Sequence, residues 1–400
     1  MNQRYFHRNI EDLLHKALSD FPVVILTGAR QTGKSTLLKN ILPDYRYITL
    51  DDPVQRQIVK EDPRSVLDIS DKSLIIDEIQ YAPEILPYVK IIVDSGRDKN
   101  GQIVLTGSQH FNLMANITES LAGRAAILTL PTFSVTEYSA KNIGQPKDCF
   151  RAIMKGFYPE PLLHAKDISL FYGSYLQTYL ERDVRQISDV SNLTTFQTFI
   201  TLLASRSGSV INQNELAREC GIAFNTVKKW LTILQASGIV YFLKPFFRNI
   251  SKRMIKSPKL YFNDTGLMAY ILKYKDTDTL YTGPLSGNIF ETFLFNEFLK
   301  YKYNYDAVFE MYFFRDSNGN ETDIILEFED KFLLFELKAS RTLRLEHAGN
   351  LKKLLPLFHN GKGYLLGFYE DDFQITENII ARNWMNLFNI LDENFKKNES

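Results

Sequence analysis

The chain has 400 residues, of which 44% are hydrophobic and 24% are charged, and its formal net charge is zero. This composition is typical of a folded globular protein and excludes a disordered one, and the length predicts two to three domains. No apolar run is long enough to cross a membrane, and the two cysteines are too few for a zinc site or a disulfide framework. We therefore expect a cytoplasmic protein without membrane contact.

An apolar strand predicted near residues 21–27 runs directly into the pattern Gly-x-x-x-x-Gly-Lys-Ser, and an apolar helix start follows. This is a phosphate-binding loop in the strand, loop and helix context that its chemistry requires. Two glycines let the backbone amides face phosphate oxygens, the lysine reaches the β- and γ-phosphates, and the serine coordinates Mg²⁺. The expected ATP-binding residues are Gly28, Ala29, Arg30, Gln31, Thr32, Gly33, Lys34, Ser35 and Thr36.

A second apolar strand, predicted at residues 74–76, ends in the carboxylates Asp77 and Glu78. Asp77 is expected to hold the Mg²⁺ shell together with Ser35, and Glu78 to activate the attacking water. The alternative is a strand end with two solvated acids. The phosphate-binding loop favours the catalytic interpretation, because the two motifs complete each other.

The order of these motifs resembles the AAA+ ATPases, in particular a bacterial and archaeal group that joins a small AAA+ module to a C-terminal domain of unassigned function. The matching stretches are Gly-Ala-Arg-Gln-Thr-Gly-Lys-Ser at 28–35, Ile-Ile-Asp-Glu-Ile-Gln at 75–80, Leu-Thr-Gly-Ser at 105–108, Leu-Ala-Gly-Arg at 121–124, Gly-Phe-Tyr-Pro-Glu at 156–160, Tyr-Leu-Glu-Arg-Asp-Val at 179–184 and Ser-Pro-Lys-Leu-Tyr-Phe-Asn-Asp-Thr-Gly-Leu at 257–267. The resemblance implies a parallel sheet with strand order 5-1-4-3-2. It also implies that Ser108 senses the γ-phosphate and that Arg124 is an arginine finger, although a cap or a surface ion pair is the alternative for each.

Residues 208–262 carry nine Lys and Arg residues against two Glu, so this segment is basic although the whole chain is neutral. Its pattern predicts a winged helix-turn-helix, with helices at 214–220 and 225–234, the second capped by Asn225, and a hairpin returning at 259–262. A basic second helix and a basic wing are typical of DNA contact, but winged helices also bind proteins. The expected DNA contacts are Lys228, Lys229, Arg248, Lys252, Arg253 and Lys256.

The C-terminal part predicts an apolar-faced helix at 287–299 and three strands at 310–315, 321–328 and 331–337. Alternation along a strand places Glu336 and Lys338 on one face, where they can meet Asp323 and the helix-borne Glu291. Three carboxylates and a lysine can form a Mg²⁺ site that activates water, and the set resembles that of PD-(D/E)xK nucleases. The alternative is a degenerate nuclease fold that serves binding or assembly.

The expected organisation is an α/β protein with four parts. These are a P-loop AAA+ domain at 1–150, a helical lid at 151–207, a winged helix at 208–270 and a restriction-endonuclease-like α/β domain at 280–390. We expect an ATP- and Mg²⁺-dependent ATPase acting on or with DNA, with a possible homo-oligomer or protein partner. Two alternatives stay open, namely an ATP-gated Mg²⁺-dependent nuclease and a nucleotide switch that recruits a protein without DNA.

Overall fold

The computed structural model describes residues 5–96, 99–107, 120–138, 143–164, 167–180, 193–246 and 257–396. The chain forms two compact units. The first comprises Met1–Tyr138, Ala236–Gly238 and Tyr303–Asp306, and the second comprises Ser139–Gln235, Ile239–Lys302 and Ala307–Ser400. None of the helices in the described ranges has the length and apolarity that crossing a bilayer requires.

A five-stranded parallel sheet forms the centre of the first unit. Its strands are β1 (Val23–Thr27), β2 (Arg46–Thr49), β3 (Leu74–Asp77), β4 (Ile103–Gly107) and β5 (Ala125–Thr129). Their order is β2-β3-β4-β1-β5, which confirms the order expected from the sequence. Strands β1, β3 and β4 are buried along their whole length, as their continuous apolar runs require in a parallel sheet covered on both faces.

Helices cover both faces of this sheet. They are α1 (Glu11–Asp20), α2 (Lys34–Ile41), α3 (Pro53–Glu61), α4 (Pro63–Val66), α5 (Leu86–Ser95) and α6 (Val135–Tyr138). Side-chain alternation along β1 divides the core, because Val23 and Ile25 pack into one apolar cluster while Val24 and Leu26 pack into another. The carboxyl ends of β1, β4 and β3 lie at one edge of the sheet, where Ser35 at the start of α2 contacts Asp77 at the end of β3.

A mixed sheet of nine strands forms the second unit. Its strands are β6 (Ser209–Val210), β7 (Val240–Pro245), β8 (Lys259–Phe262), β9 (Glu310–Arg315), β10 (Glu321–Phe328), β11 (Lys331–Leu337), β12 (Gly361–Gly367), β13 (Phe373–Thr376) and β14 (Ile379–Asn383). Among the described residues their order is β13-β14-β12-β11-β10-β9-β7-β8-β6. Strand β10 is antiparallel to β9 and β11, whereas β12 is parallel to β11 and β14.

The helices of the second unit precede and flank this sheet. They are α7 (Pro146–Lys155), α8 (Pro159–Leu163), α9 (Ile168–Tyr175), α10 (Leu193–Ser205), α11 (Gln213–Cys220), α12 (Phe224–Ala236), α13 (Thr265–Ile271), α14 (Thr277–Thr282), α15 (Ser286–Tyr305), α16 (Gly349–Leu354) and α17 (Leu387–Phe395). A π-helical turn, Leu176–Leu180, follows α9. Helix α15 starts one residue before the predicted helix and continues beyond its predicted end.

One pairing departs from the expected division into a winged helix and a separate C-terminal domain. Strand β7 pairs in parallel with β9, with Lys244 opposite Tyr312 and Pro245 opposite Phe313. The following residue, Phe246, donates its backbone N–H to the Phe313 carbonyl and packs its ring 5.7 Å from that of Phe332. The predicted hairpin of β7 and β8 is therefore part of the same sheet as the C-terminal strands.

The two helices predicted before this hairpin are present. The side chain of Asn212 caps α11 by accepting from the backbone N–H groups of Asn214 and Glu215, and Gly221 ends the helix in the left-handed region with φ 65°. Helix α12 begins at Phe224, so the expectation that Asn225 caps it is wrong. The helix starts earlier because Val227, Trp230 and other apolar residues of α12 are buried.

Candidate functional site

The phosphate-binding loop is strongly curved between β1 and α2. Gly28 has φ 149°, and a Cβ there would lie 2.4 Å from the carbonyl oxygen of Leu130, so the position excludes every side chain. Gly33 has φ 93° and precedes the first residue of α2, while Gln31 has φ 61°. These left-handed conformations turn the backbone of the loop toward the N-terminus of α2, which is the geometry that binds an anion.

Lys34 lies over this loop and is only 5% exposed. Its Nζ donates to the carbonyl oxygens of Gly28, at 3.1 Å, and Ala29, at 2.9 Å. Burial lowers the pKa of Lys34, and the carboxylates of Glu78 and Asp77 oppose that shift. The ammonium group is thus held at the loop by weak neutral acceptors, which a phosphate can replace with charged oxygens.

Three hydroxyl groups converge on the Asp77 carboxylate. Ser35 Oγ donates to Asp77 Oδ2 at 2.6 Å, Tyr47 donates to the same oxygen, and Thr106 donates to Oδ1. These donors come from α2, β2 and β4, the elements that flank the end of β3. A carboxylate and a serine hydroxyl at this distance are hard oxygen ligands, so the residues present fit Mg²⁺.

Tyr47 and Thr106 are site residues that the sequence analysis missed. Thr106 had a signal, since it follows the apolar run of β4 at the edge where the parallel strands end. Tyr47 had none, because it stands in a half-exposed strand outside any motif. Burial and its bond to Asp77 raise the pKa of Tyr47, so the phenol stays a hydrogen-bond donor at neutral pH.

Glu78 follows Asp77 in a strained backbone conformation, with φ 60°. Its backbone N–H donates to Thr106 Oγ1 at 3.3 Å, and its carboxylate accepts from the side-chain amide of Gln80. Burial raises the pKa of Glu78, while the nearby Lys34 opposes the rise. The expected base thus lies beside the loop lysine.

The two residues assigned by resemblance have different outcomes. Ser108 lies outside the described residues. Arg124 precedes β5 and forms a double contact with Asp94, with Nε to Oδ1 at 2.6 Å and Nη2 to Oδ2 at 3.0 Å. This is the ion pair that the sequence analysis left open as the alternative to an arginine finger.

The basic helix of the second unit presents two lysines to solvent. Lys228 and Lys229 of α12 are exposed, whereas Val227 and Trp230 beside them are buried. The Trp230 ring lies 5.2 Å from the ring of Phe196 in α10, so the apolar face of α12 packs inward. The other expected contacts, Arg248, Lys252, Arg253 and Lys256, lie outside the described residues.

The C-terminal carboxylates come together much as the strand alternation predicted. Lys338 Nζ lies 2.6 Å from Glu336 Oε1, and the backbone N–H of Leu337 donates to Asp323 Oδ2 at 2.8 Å. Glu291 projects from α15 and accepts from the Tyr261 hydroxyl at 2.6 Å. We call these groups, together with Glu321 and Lys259, the carboxylate cluster.

Lys259 enters this cluster from β8 and was not expected there. Its side chain is 1% exposed, and its Nζ lies 2.6 Å from Glu321, 3.2 Å from Glu291 and 3.7 Å from Asp323. Its own sequence offered a signal, since Lys259 interrupts an otherwise apolar and aromatic strand that is buried throughout. A lysine in such a strand needs acidic partners.

Burial and mutual repulsion change the protonation of the cluster. Burial raises the pKa of Glu291 to about 7, against the attraction of Lys259, and that of Glu336 to about 8, with Asp323 adding to the rise. Burial alone lowers the pKa of Lys259, but its carboxylate neighbours raise it well above the usual value. Both lysines of the cluster therefore stay charged while two carboxyl groups shift toward the neutral form.

The expected metal-ligand set of Glu291, Asp323 and Glu336 is not formed. Within the described ranges, no three His, Cys, Asp or Glu side chains are arranged to hold a metal ion. One oxygen of each carboxylate accepts instead from protein donors, which are Lys259, Lys338, Tyr261 and the backbone of Leu337, while Glu336 Oε2 is buried without a partner in the part of the chain that the structure describes.

Comparison with protein families divides the chain into three regions. An AAA domain matches residues 20–139, a domain of unknown function (DUF8612) matches 146–278, and another (DUF4143) matches 286–387. The parallel sheet, its strand order and the loop geometry agree with the first match. The chain therefore carries an AAA domain followed by two domains of unknown function.

Two mycobacterial relatives extend the similarity over most of the chain. The uncharacterised proteins Rv2008c of Mycobacterium tuberculosis and Mb2031c of Mycobacterium bovis are each 30% identical over 334 residues, which span 82% of this chain and 73% of the relative. The chain belongs to the family of these proteins.

Solved structures show weaker likeness. The Walker-type ATPase of Pyrococcus abyssi is 16% identical, with a TM-score of 0.44, over 64% of this chain and 93% of its own. The RuvB Holliday junction branch migration motor of Thermotoga maritima is 16% identical, with a TM-score of 0.31, over 58% of this chain and 88% of its own. At these scores neither likeness carries the fold assignment, which comes from the strand order and the AAA-domain match.

Proposed function

We propose that this protein binds ATP with Mg²⁺ at loop residues 28–36 and hydrolyses it. The observation that carries the proposal is the 2.6 Å contact between Ser35 Oγ and Asp77 Oδ2, directly beside the curved loop and its buried lysine. Bound Mg²⁺ would supply positive charge that neutralises the negative charge developing during phosphoryl transfer. Ser35 and Asp77 are the residues that would hold it.

The other residues of the site bind phosphate, accept a proton or position Asp77. Lys34 exchanges its carbonyl acceptors for phosphate oxygens, and the loop amides and the N-terminus of α2 orient the same group. Glu78 accepts a proton from the attacking water once its carboxylate leaves Gln80. Tyr47 and Thr106 position Asp77 by donating to its two oxygens.

A pair of substitutions tests this assignment. We expect Lys34→Ala to weaken ATP binding and Glu78→Gln to retain ATP binding while slowing hydrolysis about a hundredfold or more, because one residue holds phosphate and the other serves chemistry. Nucleotide binding is measured by equilibrium titration and turnover by phosphate release. As a matched control, Glu84→Gln changes an exposed carboxylate in the same unit and should leave both unchanged. Equal turnover by wild type and Glu78→Gln would remove Glu78 from the mechanism.

We further propose that ATP turnover acts on DNA through a winged helix at 208–270. The exposed Lys228 and Lys229, the turn at Gly221 and the antiparallel β7–β8 hairpin support it. These features match a recognition helix followed by a wing. In this proposal, residues 1–150 are the motor, 151–207 a helical lid and 280–390 a restriction-endonuclease-like module.

The alternative of an ATP-gated nuclease needs Mg²⁺ among Glu291, Asp323 and Glu336. The contacts of Lys259 within the carboxylate cluster disfavour it. The other alternative is a nucleotide switch that recruits a protein without DNA. Absence of DNA binding in the measurement on α12 would favour it.

A further inference from the structure

The carboxylate cluster contains a cation of its own. Lys259 reaches three carboxylates, and two of them, Glu291 and Asp323, belong to the set that a metal-dependent nuclease would use. The third, Glu321, makes the shortest contact, 2.6 Å. Glu321 and Glu291 lie within hydrogen-bond distance of the ammonium group, and Asp323 adds an ion pair at 3.7 Å.

Burial makes this arrangement specific rather than incidental. A lysine side chain that is 1% exposed is strongly destabilising unless several acceptors surround it. Lys259 meets that condition only inside the cluster, since its strand neighbours Leu260, Tyr261 and Phe262 are buried and mostly apolar. The ammonium group of Lys259 therefore pairs with the carboxylates of the cluster.

One oxygen of each carboxylate in the expected metal-ligand set accepts a hydrogen bond from another donor, whereas Glu336 Oε2 is buried without a partner among the residues that the structure covers. Tyr261 donates to Glu291, the backbone of Leu337 donates to Asp323, and Lys338 donates to Glu336. Magnesium demands near-octahedral oxygen coordination at about 2.1 Å and keeps part of its water shell. The ammonium group of Lys259, 3.2 Å from Glu291 Oε1 and 3.7 Å from Asp323 Oδ1, repels such an ion and occupies part of the volume between these two carboxylates.

We propose that the ammonium group of Lys259 is the resident cation of the carboxylate cluster, in place of a divalent metal. The DUF4143 region is then a metal-independent module that does not hydrolyse phosphodiesters by the two-carboxylate route. This inference is independent of the proposed ATPase function, because the cluster lies entirely in the second unit.

The family boundaries give the lysine a second role. Lys259 lies in the DUF8612 region, whereas its carboxylate partners lie in the DUF4143 region. The ion pairs of Lys259 thus connect the DUF8612 and DUF4143 regions, which the pairing of β7 with β9 also connects. A metal would neutralise the cluster without that connection.

Manganese binding by the full-length chain without nucleotide tests the proposal, with free Mn²⁺ followed by electron paramagnetic resonance. We expect wild type and Asp323→Asn to bind Mn²⁺ equally. Lys259→Met should gain a site that binds Mn²⁺ about tenfold or more tightly than wild type does there, because the same oxygens then lack their cation. The double variant Lys259→Met/Asp323→Asn should lose that site, and Lys259→Arg, which keeps the charge, should not gain it.

Two results would overturn the proposal. One is Mn²⁺ binding by wild type that Asp323→Asn removes, since the metal would then coexist with Lys259. The other is a folded Lys259→Met variant that gains no site. Should Lys259→Met fail to fold, the comparison of wild type with Asp323→Asn still decides, because it needs no change at Lys259.

Discussion

Three hydroxyl groups from three different elements determine the position of the Asp77 carboxylate. Each donates to one of its two oxygens, so the carboxylate is oriented before any ligand binds. Such preorganisation lowers the reorganisation that metal binding requires. Ser35 and Thr106 lie in stretches that match the AAA+ pattern, whereas Tyr47 lies in none. The orientation of the site therefore depends in part on a residue that a motif search does not report.

Glu336 allows a pH prediction, since burial raises the pKa of its carboxyl group to about 8. Asp323 and Glu291 add to the rise, Lys338 opposes it, and Tyr369 lies close by. The folded chain then binds more protons than the unfolded chain above the usual carboxyl pKa. Stability is full below that value and falls as pH rises toward 8, by at most about 1.4 kcal/mol per pH unit for one group.

We expect Glu336→Gln to flatten this dependence. The amide keeps the shape of the side chain and cannot lose a proton. The unfolding temperature of the variant should therefore fall less than that of wild type between pH 5.5 and pH 8. Thermal unfolding of the full-length chain at both pH values measures the difference. Glu329→Gln, at an exposed carboxylate after β10, should behave as wild type. Parallel curves for all three proteins would show that Glu336 ionises normally.

At the scale of single elements, helix α12 carries the testable surface. Lys228 and Lys229 are exposed on it, and the opposite face packs on α10 through Trp230. If α12 faces DNA, replacing both lysines by Ala should weaken binding to all duplex sequences about equally. The slope of log affinity against log salt should flatten by about two units, because each lost phosphate contact releases one fewer counterion.

The matched control for this surface is a pair of exposed lysines elsewhere in the second unit. We choose Lys352 and Lys353 of α16 as this control pair, since both are exposed and lie on another helix. Their replacement should leave the affinity and the salt slope unchanged. An unchanged slope for the Lys228→Ala/Lys229→Ala variant as well would make a protein-facing role the better explanation of the helix.

The local sequence pattern predicted the bounds of several strands closely. It failed to predict pairings and side-chain contacts between residues that are far apart in sequence. Strands β9, β10 and β11 have the predicted bounds, because turn residues and alternation mark them. The parallel pairing of β7 with β9 joins residues about 70 positions apart, and no local signal encodes it. For Lys259 the apolar strand around it signals a buried charge, but its carboxylate partners lie 32 or more positions away in sequence and no local pattern identifies them.

At the scale of the whole molecule, Arg124 provides a test of whether the ATPase works as an assembly of subunits. In the single chain Arg124 is paired with Asp94, so a role as a finger for a neighbouring subunit requires that pair to open. If it does, ATPase activity per subunit should rise with protein concentration, and adding an Arg124→Ala subunit should reduce the activity of mixtures more than in proportion. Turnover measured over a hundredfold concentration range, about 0.1 to 10 μM, checks this.

Asp94→Ala is the informative partner variant. It frees Arg124 without removing it, so activity should persist or rise if the arginine acts between subunits. Both variants should lose only a modest amount of stability, because the pair is partly exposed. Turnover that is independent of concentration in wild type would leave Arg124 with the structural role alone.

The pairing of β7 with β9 has an evolutionary consequence. Sequence similarity draws a border between residues 278 and 286, yet backbone hydrogen bonds cross that border within one sheet. A gene fusion or deletion at the border would leave β9 with an open edge, and open edges promote misassembly. Exchange of one region between genomes without the other would remove this pairing, because the border lies inside one compact unit rather than between two.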